Sequence, residues 1–233
     1  MKKRNGPALW DLIEMVIAVT RQSLLFGPPG TGKSHAAHSV ELGSRELFSI
    51  TLTPDTAAAE LRGHYVPRGG EFHWQDGPAM MAWRRGGRLV INEINHAGGD
   101  VLSFLLNCLD TPETARITLP TGEMVRPHAN FQAVATMNGE PNLDLPEALR
   151  DRFPAAIEVT EPHPAGIARL SKDLQAFARE TASAPGGADR RISLRQWLAF
   201  DQLRADIGAP DAAFVIFGRR AEEVLTALTI AKD

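Results

Sequence analysis

The stretch Gly27-Pro28-Pro29-Gly30-Thr31-Gly32-Lys33-Ser34 constrains this chain more than any other, because it has the pattern G-x-x-x-x-G-K-[ST] between a strand and a helix. The apolar run Ser23-Leu24-Leu25-Phe26 precedes it, and the helix-compatible His35-Ala36-Ala37-His38 follows. Glycines let successive backbone N–H groups turn inward around phosphate oxygens, and a helix beginning near Gly32 aims its positive dipole end at the same anion. Lys33 adds a point charge, and the Ser34 hydroxyl is a ligand for Mg²⁺. With glycine at about 7% of ordinary composition, the pattern arises by accident in roughly one chain in a hundred of this length. A solvated lysine beside a glycine turn is therefore a poor account of it, and the stretch reads as a triphosphate-binding loop.

The 233 residues suffice for one large core, or for a core domain with a small second one. Hydrophobic residues make up 43% and charged residues 23%, with a net charge of −3, which is the balance of an ordinary soluble protein. That balance offers no electrostatic reason for an obligatory nucleic-acid partner. The single cysteine, Cys108, excludes an intramolecular disulfide, fits a reducing cytoplasmic compartment, and lies in an apolar helical pattern that makes it a buried thiol and not a nucleophile. Met1-Lys2-Lys3-Arg4 has the charge of a leader's start, but Pro7, Asp11 and Glu14 interrupt the apolar region a leader needs. No apolar run reaches the length of a membrane span.

Along the chain, helical spacing covers Ala8 to about Thr20, and Leu47 to Leu52 alternates as a strand. A short helical piece around Leu61 leads into Gly63 to Trp74, a polar stretch with glycine, proline and three aromatics. It reads either as an excursion carrying partner contacts or as a connecting loop whose aromatics fold back on the body. Ala79 to Arg85 is a short helix closed by Gly86-Gly87, Arg88 to Ile91 is a buried strand, and Val101 to Leu109 marks one apolar helix face. Ala115 to Leu119 and Glu123 to Arg126 form a hairpin around Pro120-Thr121-Gly122. Phe131 to Thr136 is another buried strand, Leu145 to Phe153 a short helix, and Ala156 to Thr160 the fifth core strand. Glu161-Pro162-His163-Pro164 then punctuates the chain, placing a boundary at 161–165 between an α/β core (1–163) and an all-α tail (164–233). The tail reads as helices at Ile167–Glu180, Ser193–Ile207 and Arg219–Ala231, with a loop at Ser183–Asp189.

Three further features carry chemistry. Leu89-Val90-Ile91-Asn92-Glu93 delivers two polar side chains at the carboxyl end of a strand, where open α/β sheets bind ligands, and Glu93 there would orient and deprotonate an attacking water. Asn138, at the end of the strand from Phe131, could hold the same water or the γ-phosphate, although Asn138-Gly139 is by itself a turn signal. Leu149-Arg150-Asp151-Arg152-Phe153 sets two arginines around an acid, which serves either as a surface Arg-Asp pair or as a source of transition-state charge neutralisation, worth about 10³ to 10⁵ in rate when supplied in trans.

Taken in this order and spacing, the sequence resembles the AAA+ ATPases, and within them the MoxR-like, dynein-related group. The resemblance runs from about residue 8 to 230, with Gly27–Ser34 as Walker A, Leu89–Glu93 as Walker B, Thr136-Met137-Asn138 as sensor 1, Leu149–Phe153 as the arginine-finger helix and Ser193-Leu194-Arg195 as sensor 2. The Ala115–Arg126 hairpin looks like the group's insertion before sensor 1, and Gly63–Trp74 like its insertion in the second helix. The resemblance implies a parallel P-loop sheet of order 5-1-4-3-2 with a C-terminal helical lid, Mg²⁺ and ATP as cofactors, and a ring, usually hexameric, with ATP between subunits. It implies nucleotide contacts from Gly27, Pro28, Pro29, Gly30, Thr31, Gly32, Lys33, Ser34, His35 and Arg195, and catalytic roles for Glu93, Asn138, Arg152 and, secondarily, Arg150. Metal contacts fall to Ser34 and Asn92. Similar proteins act as chaperone-like remodellers of a client, often beside a von Willebrand A domain partner.

One position departs from the pattern. Where aspartate usually precedes the catalytic glutamate, this chain has Asn92, whose carbonyl still accepts a hydrogen bond from a cation-bound water but carries no formal charge. Weaker Mg²⁺ binding or slower turnover than in an Asn92→Asp variant follows from that loss. His35 and His38 stand three apart on one helix face, yet no carboxylate or cysteine joins them at metal-ligand spacing. Two rival readings stand beside an ATP hydrolase: a non-catalytic ATP-binding assembly switch, and a nucleic-acid-directed motor whose binding would be salt-sensitive.

Overall fold

The structure, a computed structural model, describes residues 7–40, 42–183 and 191–230. The leader-like start and most of the Ser183–Asp189 loop lie outside the described residues. The strands are β1 Gln22–Phe26, β2 Leu47–Thr51, β3 Gly63–Arg68, β4 Glu71–Asp76, β5 Arg88–Asn92, β6 Ile117–Thr118, β7 Met124–Val125, β8 Gln132–Thr136 and β9 Ala155–Glu158. Five of them form a parallel sheet in the order β2-β5-β8-β1-β9. Numbered within that sheet alone, the order is 5-1-4-3-2, as the resemblance implies. Two compact units result: the chain up to Gly27 with Lys33–Glu158, and the chain from Val159 with the loop residues Pro28–Gly32.

In the first unit, burial follows sheet position. Every residue of β5 and β8 is buried, as central parallel strands covered on both faces must be, whereas the edge strands β2 and β9 alternate in exposure. Leu24, Leu89, Ile91, Ala133 and Ala135 meet Met80, Trp83, Leu105 and Phe131 in one core, with the Trp83 and Phe131 rings edge to face at 6.1 Å. The helix Pro78–Arg85 has proline in its first turn and ends at Gly86 with φ 67°, the left-handed stop that glycine adopts without a Cβ penalty.

Polar residues are buried here too. Arg88 is fully buried; its Nε donates to Gln132 Oε1 at 2.6 Å and its Nη1 to the Val40 carbonyl at 2.8 Å, just past the C-terminus of the helix Lys33–Ser39. Gln132 Nε2 in turn donates to the carbonyls of Ile17 and Thr20 at 2.5 and 2.7 Å. This pair, facing across β5 and β8 in register, satisfies carbonyls at the ends of two helices, groups that have no partner within the helix itself.

The segment Gly63 to Trp74 is regular structure in which Tyr65 and Phe72 are exposed and Trp74 packs partly buried against the core. It belongs to an antiparallel hairpin of β3 and β4 that turns at Gly69-Gly70, both with positive φ. Gly-Gly between alternating residues is a hairpin signal, masked here by Pro67 in mid-strand. The expected hairpin at 115–126 is present but pairs only two residues on each side. The expected helix Leu145–Phe153 shrinks to the single turn Glu147–Arg150 with Pro146 as N-cap, and a separate turn, Pro141–Asp144, precedes it and ends at extended Leu145.

The second unit is helical, with one more break and one more helix than the sequence reading. Ile167–Glu180 resolves into Pro164–Ala168 and Lys172–Ala182, interrupted where the Ser171 N–H donates to Asp201 Oδ2 at 2.6 Å. Ala209–Phe217 is a helix the reading lacked, followed by a 3-10 turn and Ala221–Ile230. Its core is an aromatic trio, with Phe217 5.2 Å from Trp197 and 5.1 Å from Phe200 between ring centroids. Trp197 satisfies its buried N–H on Thr181 Oγ1 at 2.8 Å.

Candidate nucleotide site

The glycine-rich loop adopts backbone that only glycine holds cheaply, with φ of 124°, 76° and 104° at Gly27, Gly30 and Gly32. Within the second unit, a Cβ on Gly30 would lie 2.8 Å from Ser193 Cβ and one on Gly32 2.6 Å from His163 Cβ, so these two positions admit no side chain. The Thr31 hydroxyl donates to the Pro28 carbonyl at 3.2 Å, and the His163 N–H to the Thr31 carbonyl at 2.8 Å. Ser193 is the N-cap of the helix Leu194–Ile207 and forms a capping box with Gln196; Arg195 is exposed in that helix's first turn. Pro29 lies in the same loop, and Ser34 and His35 are exposed in the first turn of the helix Lys33–Ser39.

In the first unit, Lys33, Glu93 and Asn138 are joined by hydrogen bonds. Lys33 Nζ donates to Gly27 O and to Asn138 Oδ1, both at 3.0 Å. Asn138 Nδ2 donates to both carboxylate oxygens of Glu93, at 2.9 and 3.1 Å. Burial lowers the Lys33 ammonium to about 8, with the nearby Glu93 charge opposing the shift. Glu93 is the one non-glycine with positive φ among the described residues, at φ 54° and ψ 49°. That conformation costs about 1 to 2 kcal/mol. It turns the chain from β5 into the 3-10 turn Ile94–His96 and leaves the carboxylate against Asn138.

Asn92 ends β5 with its amide held on both sides. Thr136 Oγ1 donates to Asn92 Oδ1 at 3.1 Å, and Asn92 Nδ2 donates to Ser49 Oγ at 3.4 Å. Ser34, Asn92 and Glu93 offer a hydroxyl, an amide carbonyl and a carboxylate, an all-oxygen donor set that suits a hard cation such as Mg²⁺. Arg150 ends the turn Glu147–Arg150, anchored by fully buried Leu149. Arg152 follows, partly exposed, 3.8 Å from Asp110 and 3.9 Å from Asp151, separations too long for strong pairing. Cys108 is fully buried, which raises its thiol to about 12 and suits a packing role.

Sequence reasoning missed Ser49, and it named Thr136 and His38 without their bonds around Asn92. Ser49 and Thr136 lie on the strands flanking β5, and only the strand order reveals that they meet Asn92. Arg88, which holds the carbonyl end of the helix Lys33–Ser39 and is itself held by Gln132, carried no signal for the same reason.

A family model described as AAA domain (dynein-related subfamily) matches residues 22–153. The chain belongs to this AAA family. It is 34% identical over 175 residues to protein NorQ of Paracoccus denitrificans, covering 73% of this chain and 60% of NorQ. To midasin of Dictyostelium discoideum it is 31% identical over 143 residues, covering 57% of this chain and 2% of midasin. Among solved structures, NtrX from Brucella abortus has the same fold at 17% identity, with a TM-score of 0.59, covering 85% of this chain and 50% of that one. The chain thus spans about 60% of NorQ and a small fraction of midasin. The AAA match begins at β1 and ends at Phe153, so it contains the loop, Glu93, Asn138 and both candidate arginines but not Ser193–Arg195. No helix among the described residues is long and apolar enough to cross a membrane.

Proposed function

We propose that this chain is a MoxR- or NorQ-type AAA+ ATPase that hydrolyses ATP in an oligomeric ring and uses turnover to remodel or activate a partner protein. The observation that carries the reading is the hydrogen-bonded set Lys33, Asn138 and Glu93, with Glu93 held in a strained backbone conformation at the end of β5. A phosphate-binding cation, a carboxylate base and an amide that links them are the parts phosphoryl transfer to water requires.

In this reading Lys33 and the loop amides hold the triphosphate, with residues 1–163 as the ATP-binding core and 164–233 as a lid carrying Arg195. Asn138 binds both Glu93 oxygens, so it fixes the carboxylate's rotamer. Once the substrate phosphate competes for Lys33, the Asn138 carbonyl is released to orient the water that Glu93 deprotonates. Mg²⁺, held through Ser34 and Asn92, would neutralise charge on the phosphate oxygens. Arg152, with Arg150 beside it, would complete the site of a neighbouring subunit, a role its weak pairing with Asp110 leaves open. A client or a von Willebrand A domain partner would read out the conformational cycle.

Steady-state phosphate release, compared with a Glu93→Gln variant, tests the reading. Turnover that falls at least a hundredfold in Glu93→Gln, with nucleotide binding retained, is the expected result. Equal release from both would favour an assembly switch instead, which the uncharged Asn92 amide supports.

A further inference from the structure

A chain of hydrogen bonds runs from the glycine-rich loop's helix to Asn92, and for a neutral His38 ring its directions follow from the donors and acceptors present. His38 Nδ1 lies 2.6 Å from the Ser34 carbonyl, which can only accept, so Nδ1 carries the proton. In the neutral ring Nε2 is then an acceptor, and the Ser49 hydroxyl, 3.0 Å away, donates to it. With its single proton given to His38, Ser49 Oγ is left to accept from Asn92 Nδ2 at 3.4 Å. Thr136 Oγ1 completes the set by donating to Asn92 Oδ1 at 3.1 Å. The flipped amide would put Oδ1 against Ser49 Oγ with no proton between them.

We propose that His38 and Ser49 are positioning residues that select the orientation of the Asn92 amide, keeping Oδ1 on the side of Thr136 with a lone pair left for a cation-bound water. The inference rests on the reading of Asn92 as the residue facing Mg²⁺. An aspartate at this position has two equivalent oxygens and needs no orienting. An asparagine presents an acceptor on one side and a donor on the other, and the wrong face would oppose the cation. The pair His38 and Ser49 supplies what the amide lacks, since the tautomer enforced by Ser34 O is transmitted through one hydroxyl. Ser49 is exposed on the edge strand β2, so its replacement leaves the core untouched.

The test uses the full chain, a fluorescent non-hydrolysable ATP analogue and a Mg²⁺ titration of its binding. Ser49→Ala is expected to raise the half-saturating Mg²⁺ concentration roughly 3- to 10-fold, in keeping with loss of a residue that orients a metal contact. Affinity in EDTA should not move, and Ser49→Thr, which keeps the hydroxyl, should restore the midpoint. In an Asn92→Asp background Ser49→Ala should leave the midpoint unchanged. An unshifted midpoint in Ser49→Ala, or an equal shift in the Asn92→Asp background, would overturn the inference while leaving the ATPase reading intact. Nitrogen NMR of His38 adds a readout independent of nucleotide: in the neutral ring the proton is expected on Nδ1, and a proton on Nε2 with Nδ1 bare overturns the inference. Binding with no Mg²⁺ dependence in the unaltered chain would overturn the reading of the site and this inference with it.

Discussion

Lys33 holds its proton against the cost of burial, and this makes the stability of the fold depend on pH. Its folded value of about 8 lies below the ordinary 10.5, so between those limits the unfolded chain binds more protons than the folded one. The lysine's burial therefore costs stability below about pH 8, and the cost is relieved as pH rises through that window. A bound triphosphate has the opposite effect, because its charge favours the ammonium. Nucleotide affinity should fall as pH rises past about 8, and calorimetry at pH 8.5 in buffers of different ionisation heat should show proton uptake on binding. Uptake that persists in Lys33→Met would assign the proton to another group. Arg88 is a second buried cation, lowered to about 10 by burial, but its role is structural. Arg88→Met keeps most of the volume yet leaves Gln132 Oε1 and the Val40 carbonyl without this donor, so urea unfolding should show a loss of about 2 to 4 kcal/mol.

At the scale of elements, Arg84 links both hairpins to the helix Pro78–Arg85. Its Nε donates to Asp76 Oδ2 at 2.7 Å at the end of β4, and its other two nitrogens donate to Glu123 at 2.6 and 2.7 Å beside β7. Both acids sit with the guanidinium and raise its pKa, the Glu123 hydrogen bond most. The group is partly exposed, so solvent screens the pairing and Arg84→Ala should cost only about 1 kcal/mol globally. Amide exchange should nonetheless quicken in both hairpins; acceleration in one alone would refute the linkage. The sequence revealed these elements unevenly, for physical reasons. The sheet was legible because β1, β5 and β8 carry the short apolar runs Leu24–Phe26, Leu89–Ile91 and Ala133–Ala135 just ahead of Gly27, Glu93 and Asn138, a local pattern that needs no tertiary knowledge. The hairpin at 63–76 was hidden by Pro67, and the helix Ala209–Phe217 by its composition. In that helix Phe214 and Val215 are exposed while Ala212, Ala213 and Phe217 are buried, so no polar face marks the period. The bonds of Asn92 and Arg88 were illegible, because their partners are adjacent only through strand order.

For the whole molecule, the decisive question is whether one chain can complete its own site. Arg152 lies 3.8 Å from Asp110 of its own chain, a contact weak enough to exchange for phosphate on a neighbour. In the proposed ring, head-to-tail contacts would place each subunit's Arg152 at the next subunit's nucleotide, so the two defects Arg152→Ala and Glu93→Gln would fall on opposite sides of an interface. Each variant alone should lose at least a hundredfold in turnover while still binding nucleotide. Mixed in equal amounts, they regenerate intact sites wherever an Arg152→Ala subunit, with Glu93 unaltered, meets a Glu93→Gln neighbour that supplies Arg152. Random assembly makes about one interface in four complete, so the mixture should recover about a quarter of unaltered turnover if sites act independently. Recovery should vanish on dilution below the concentration at which the ring forms, measured by mass in solution. If Arg152 instead served the nucleotide of its own chain, no mixing ratio would restore activity, and turnover per subunit would not depend on concentration.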